Sequence, residues 1–442
     1  MSMQVARVYT WSLTVGLGAL LLLGACSGDK DTKAGGAAAP KDKAAAPVAE
    51  FKPPVPVQEP LVGPPSPTLL LAQAQFYKGA GGKPIPGAAL LTLWRKGEAG
   101  WTSSKLEDAD SNVFHKAMPF DGGILTIGAE KALLKKWTFK DGKWSQETLW
   151  APAPWGGKFN RVRDVEVGDV DGDGKDDVVM ATHDFGVIAV GRWTDGTFAV
   201  TELHKMADTF VHEIEIGDID GDGKKEFFAT PSGRNQSSGA SQPGQVVMYR
   251  WDGKDFVETV VDDFTASHAK EILAVDLGGK GKVDLFSSIE AETTLEGGKA
   301  KVVKPVEIRH YAYDKKKNTF THTVAATIDD KQNRFLVPAD YDGDGKKEII
   351  AAALTTGIWV LKQEADGSWK ANNIERNSSG FEHSCYAADL DGNNLPELYV
   401  AADDQREVRS YQYDAASQLY KKTVIGPIPK DTITWNITTG SF

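Results

Sequence analysis

The sequence is short of several things that usually announce a function. It has two cysteines in 442 residues, Cys26 and Cys385, too few for a disulfide framework or a His/Cys zinc set. It has no basic excess: 50 Lys and Arg against 61 Asp and Glu leave a formal net charge of −11. That balance argues against nucleic acid as a partner, which calls for a clustered basic face. Beyond Leu23 no apolar run is long enough to span a bilayer. Helical periodicity is almost absent, and neither a nucleophile elbow nor a phosphate-cradling loop is present. What the chain does have is glycine, 45 residues of it, recurring inside short acidic turns.

One such turn reads GDVDGDGKDD at Gly168–Asp177. It recurs as DIDGDGKKE from Asp218, DYDGDGKKE from Asp340 and DLDGNNLPE from Asp389, with a damaged copy, DLGGKGKVD, from Asp276 and a truncated DGG from Asp121. Successive copies start 48, 49, 58, 64 and 49 residues apart. A period near 50 means one supersecondary unit repeated. Each copy lies between two strand-like runs and is followed by a hairpin closing on an aromatic: Trp101, Trp144, Phe198, Phe256, Phe320, Trp369 or Tyr420. Four short strands per repeat, with turn chemistry at each joint, describe a propeller blade. Seven hairpins but six loop anchors leave one inner strand missing, and Thr432–Gly440 supplies it. The expected fold is therefore an all-β, seven-bladed propeller whose C-terminal strand completes the blade begun near residue 67, so that no sheet edge stays open. One aromatic per blade points to packing between neighbouring blades.

Carboxylates at this density repel unless a cation sits among them. Asp169, Asp171, Asp173 and Asp177 fall at positions 1, 3, 5 and 9 of the turn, as in an EF-hand, but position 12 is Met180, and Ala229 and Ala351 hold that place in the next two copies. An EF-hand needs a bidentate glutamate there and flanking helices, so this is another kind of site. The all-oxygen set selects calcium.

These turns resemble the FG-GAP/VCBS repeats of integrin-alpha-type propellers, from Asp121 to Phe442. The resemblance implies side-chain ligands at positions 1, 3, 5 and 9 and a backbone carbonyl at 7. Four loops then look competent for structural calcium: Asp169, Asp171, Asp173, Lys175 and Asp177; Asp218, Asp220, Asp222, Lys224 and Glu226; Asp340, Asp342, Asp344, Lys346 and Glu348; and Asp389, Asp391, Asn393, Leu395 and Glu397. The lysines and Leu395 offer carbonyls only. The last loop is the weakest of the four, with Asn393 in place of a carboxylate. The Asp276 copy is expected to be empty, Lys280 pairing with Asp276 and Asp284 in place of a metal.

The N-terminus resembles a bacterial lipoprotein signal peptide, with Arg7 before an apolar run that ends in Leu23–Gly24–Ala25–Cys26. The implication is a signal peptide over 1–25, acylation of Cys26 and an extracytoplasmic, membrane-anchored protein. Ser27 after the cysteine favours the outer membrane. Cys385 is then unpaired and reads as a small buried hydrophobe. Residues 26–66 are rich in Ala, Pro and Lys and read as a disordered tether, and residues 67–442 as the propeller.

Function is expected at the end of the ring away from the acidic loops. The two longest insertions, Ser232–Gly244 and Glu290–Val303, lie there. Six residues before each loop aspartate stand His115, Arg163, His212, Lys270, Arg334 and His383. With Glu213 and His183 they form a candidate ring for an anionic ligand such as a uronic-acid glycan. Three readings stay open: a non-catalytic binding module for a polysaccharide or an envelope protein; a structural subunit of an envelope complex; or an enzyme similar to propeller lyases and dehydratases, using His212, His383, Arg163, Arg334 and Lys270.

Overall fold

A computed structural model describes residues 53–79, 82–156, 160–236 and 238–442. The signal peptide, Cys26 and most of the tether lie outside the described residues. All the secondary-structure elements described are strands; most form seven blades of four antiparallel strands, while Pro84–Pro86 extends the sheet of blade 1 and Glu292–Glu296 pairs with Lys299–Lys304 in a separate hairpin. No helix among the described residues is long and apolar enough to cross a membrane.

The inner strands are Phe114–Phe120, Val162–Gly168, Thr209–Gly217, Ala269–Val275, Asn333–Ala339 and Cys385–Ala388 in blades 2 to 7. Blade 1 takes its inner strand from the C-terminus: Thr432–Ser441 runs antiparallel to Pro67–Lys78, from Pro67 beside Ser441 to Gln75 beside Thr432. The ring is closed, as the missing-strand count predicts. A buried polar clasp sets the register of that closure. Asp403 accepts from the Thr434 amide at 2.9 Å and its hydroxyl at 3.0 Å, while Gln73 bridges Thr434 and Thr92.

The core is not one mass but seven interfaces, each between adjacent blades. Leu125, Ile127 and Leu134 of blade 2 meet Val165, Val178 and Met180 of blade 3, and the same pattern returns around the ring. Each interface contains one of the hairpin aromatics, from Trp144 between blades 1 and 2 to Trp101 between blades 7 and 1. Cys385, 1% exposed, lies in the interface between blades 6 and 7.

Residues 57–66, expected to belong to the tether, are docked. Val57 and Glu59 exchange backbone hydrogen bonds with Glu107 and Lys105 on the outer strand of blade 1. Leu61 packs against the core between blades 1 and 2. Arg95 then donates to the carbonyls of Val62, Pro64 and Phe442, tying the incoming segment to the C-terminus. Proline-rich composition hid this, because backbone bonds, Leu61 and one arginine hold the strap. A cavity of about 650 Å³ opens beside it, lined by Val62, Pro64, Arg95, Lys96 and Asp391, at the acidic-loop end of the ring.

Candidate functional site

The two ends of the ring carry different chemistry. At one end are the four acidic turns. In each, three carboxylates lie close enough to hold one ion: Asp169, Asp171 and Asp177; Asp218, Asp220 and Asp222; Asp340, Asp342 and Asp344; Asp389, Asp391 and Glu397. The turn is built by its own side chains. Asp169 accepts from the amides of Gly172 at 2.7 Å and Gly174 at 2.9 Å. The carboxylate at position 9 reaches back to the amide at position 2, as Glu348 does to Tyr341 at 2.9 Å. Both glycines have positive φ, 77° at Gly172 and 84° at Gly174, which L side chains rarely adopt. At Asp340, Oδ1 is buried without a hydrogen bond, as expected of an oxygen reserved for a cation. These residues fit an oxygen-coordinated metal.

In the damaged Asp276 copy, Oδ2 caps the Gly281 amide at 2.6 Å. The pairing expected of Lys280 is not formed; Asp284 is instead 2.9 Å from His310 on the third strand. A histidine on the adjacent strand is nearer than a lysine on the same turn.

At the other end, the starts of the inner strands gather around the axis. Arg163 approaches Glu382 at 3.3 Å, and Arg334 pairs with the other oxygen of Glu382 and lies 3.6 Å from Glu290. Trp435 of the closing strand lies under this group: the Arg163 guanidinium is 5.5 Å from its ring, and His115 and Phe381 pack on it at 4.7 and 5.8 Å. Arg334 covers Phe381 at 5.4 Å. Mutual attraction with Arg334, Arg163 and Lys270 outweighs the upward push of burial and holds the Glu382 carboxyl below its usual range.

Lys270 is the exception in this network. It is 6% exposed yet makes no hydrogen bond or ion pair with any described residue. Burial and the Arg334 charge bring its pKa down to about 8. Glu382 serves the two arginines, and Glu290 accepts from Gln332 at 2.9 Å through Oε2 while its Oε1 is buried without a hydrogen bond. Other donors there are also unmatched: Trp435 Nε1, His183 Nδ1 and Arg334 Nε are buried without partners.

The histidines form an arc beside this cluster. His183 Nε2 is 3.2 Å from His212 Nδ1, and His212 Nε2 is 3.0 Å from Ser232 Oγ. His183 stacks on Phe210 at 4.4 Å. His268 lies 5.3 Å from His212, ring to ring, and 3.5 Å from Glu290. Burial keeps all of them neutral, with His115 brought down to about 3 and His268 to about 4. Ser232, His212 and His183 form a hydrogen-bonded row in which His212 is 0% exposed.

Of the ring expected from the sequence, the structure brings Arg163, Lys270 and Arg334 together at the axis, with His115, His183 and His212 behind them. It does not bring His383. That ring is fully buried in the blade wall, with Nδ1 2.6 Å from the Ala353 carbonyl and Nε2 2.7 Å from Ser378 Oγ. Its backbone is left-handed, φ 50°, because blade 7 begins with an irregular turn before a four-residue inner strand. Glu382 takes the axial place. Glu213 lies deeper in the channel, where burial, Asp164 and Glu271 push its carboxyl well above the usual range. His268, Glu290 and Glu382 were missed; the alternation of His268 with Lys270 along one strand was the available signal.

His383→Ala should therefore cost stability, about 2–4 kcal/mol for a lost buried ring and two orphaned partners, without changing binding at the axis. His383→Asn, which tolerates φ > 0, should recover part of that loss. Thermal unfolding beside a binding assay separates the two effects.

Comparison with known proteins bears on the acidic end. A family model for an FG-GAP-like repeat matches residues 169–229 and 340–400. The chain carries FG-GAP-like repeats. The two matched stretches span the four acidic turns and the strands between them. No curated protein matches the chain. Among solved structures, this FG-GAP-like propeller is similar to a candidate 6-phosphogluconolactonase from Bacteroides fragilis, at 14% identity and TM-score 0.53, over 85% of this chain and 98% of that one. A second, from Bacteroides uniformis, aligns at 13% identity and TM-score 0.52, over 86% and 100%. A protein from Lactobacillus plantarum aligns at 11% identity and TM-score 0.52, over 85% and 99%. At such identities the likeness is one of fold.

Proposed function

We propose that this propeller is a binding module whose axial end takes a carboxylate-bearing saccharide. Lys270 carries the reading. Lys270 lies in a largely buried position beside Arg334 and Arg163 with no direct ion pair, and the attraction of Glu290 and Glu382 does not offset burial and those charges. An anion bound among Lys270, Arg163 and Arg334 would relieve that repulsion. At the axis three cations face two carboxylates, and the histidines are neutral, so the local balance is positive in a chain of net charge −11. Phe381, partly exposed beside the Arg334 guanidinium, supplies an apolar surface for a sugar ring, and the buried Trp435 supports it from below. The tied loops at Gly239–Ser241 and Thr293 form one wall for a longer chain.

In this reading the acidic turns hold calcium and keep the ring in shape, and the segment ahead of residue 57 anchors the module to the cell envelope through Cys26. Binding needs the Lys270 proton, so its pH dependence has a defined sign. Affinity for a galacturonate oligomer is level up to about pH 7.5 and falls as pH rises through 8, by roughly tenfold at pH 9. K270M should weaken binding at neutral pH and remove that dependence. Calorimetry at several pH values checks both, and equal affinity for neutral and acidic oligomers would defeat the proposal.

A further inference from the structure

The acidic turns hold a feature that their own sequence does not show. In blade 3, Arg192 Nε lies 3.0 Å from Asp171 and 3.4 Å from Asp177. In blade 4, Arg250 binds Asp220 at 2.8 Å and Glu226 at 2.7 Å. In blade 6, Lys362 bonds Asp342 and Asp344 and lies 3.4 Å from Glu348. These carboxylates occupy positions 3, 5 and 9 of the turns, the places from which an ion would be held. Lys315, from the hairpin of blade 5, brings a second cation to the blade 4 turn, 3.0 Å from Asp220.

The three main cations share one place in the blade. Each stands on the third strand, one residue before the partner of the hairpin aromatic: Trp193 opposite Phe198, Trp251 opposite Phe256 and Gln363 opposite Trp369. In blade 7 that place is Gln412, one residue before Tyr413 opposite Tyr420. Its amide is 3.4 Å from Asp391 and 3.5 Å from Glu397. In blades 2 and 5, whose turns are broken, it is Thr138 and Ala312. A cation at that place therefore accompanies each of the three turns with four carboxylates. Blade 1, which has no such turn, carries Arg95 there, and the truncated blade 2 turn pairs its Asp121 with Lys136 from another position on the third strand. Two of the three are also fixed by aromatic rings of the following blade. Arg192 lies 5.0 Å from Trp251, and Arg250 lies 5.5 Å from Tyr313.

We infer that Arg192, Arg250 and Lys362 are tethered cations that stand in for the metal, so that an ion binds these turns only by displacing them. The Asp389 turn, with three carboxylates and a neutral glutamine, then fills first, although its ligand set is the poorest in charge. The Asp218 turn, with two cations against four carboxylates, fills last. The inference rests on the reading of the turns as calcium sites. It adds that the ring closes without metal and that loading is graded.

Calcium titration calorimetry of the full chain tests it, with terbium luminescence as a second, optical readout. Wild type should show one site at least roughly tenfold tighter than the other three. Q412K should remove the tight site. K362M should move one weak site towards it by on the order of tenfold, and should lower the thermal midpoint in chelator but not in calcium. Four equivalent sites, with Q412K and K362M unchanged, would overturn the tethered cations and leave calcium binding intact. No heat or luminescence from wild type and K362M alike would overturn the calcium reading itself, and the tethered cations with it.

Discussion

Deletion of residues 432–442 should abolish the folded state rather than trim it. Without that strand blade 1 lacks its inner member, and blades 7, 1 and 2 lose their axial contact. Trp435 is 9% and Ile437 1% exposed, and losing side chains of this kind removes about 2–5 kcal/mol each. Together they approach the whole net stability of an ordinary domain, about 5–15 kcal/mol. Nine register positions with Pro67–Gln75 disappear as well. The expected result is loss of the cooperative thermal transition and rapid proteolysis. A subtler variant, Thr434→Val, should retain the transition with a penalty of about 1–3 kcal/mol, because it removes the hydroxyl that Asp403 and Gln73 share while Asp403 keeps the backbone amide. A truncated chain that melts cooperatively near the wild-type temperature would mean that the ring does not need its closing strand.

The second large effect is expected at Arg334. Arg334→Met leaves Glu382 with only the longer contact from Arg163 and takes the one guanidinium near it away from Glu290. Breaking a buried pair from one side typically costs about 3–5 kcal/mol, because a charge stays behind uncompensated. The double variant R334M/E382Q should be more stable than R334M, since it removes that orphan. Neither should bind an acidic oligomer at wild-type affinity. Additive losses in the double variant would show that the two residues do not act as a pair.

The parts legible in the sequence are those set by local spacing. The 48–64-residue interval, the DxDGDG turns and the closing aromatics fix blade number and order, because each is a short-range pattern repeated on one scaffold. The axial end was legible only while the scaffold stayed regular. Counting six residues back from a loop aspartate finds Arg163, Lys270 and Arg334, on inner strands of seven residues. It fails at His383, where the inner strand shortens and a left-handed residue turns the side chain into the wall. Glu290 and His268 reach the site from positions outside that count, and Trp435 arrives from the far end of the chain. The tethered cations were hidden for a related reason. Arg192 and Lys362 stand 21 and 20 residues after the ligands Asp171 and Asp342 that they contact, and antiparallel pairing alone brings them together. The repeated RW of RWTDGTF and RWDGKDF was visible, but its meaning depends on register.

The most direct test of the axial reading is retention of the protein on immobilised polygalacturonate beside a neutral glucan, with absorbance of unsaturated sugar products followed in the same incubation. Wild type should be retained by the acidic polymer alone and generate no chromophore, and K270M and R334M should pass through while His383→Asn is still retained. Retention that K270M leaves unchanged, or a chromophore that grows with time, would contradict a non-catalytic anion site at the axis.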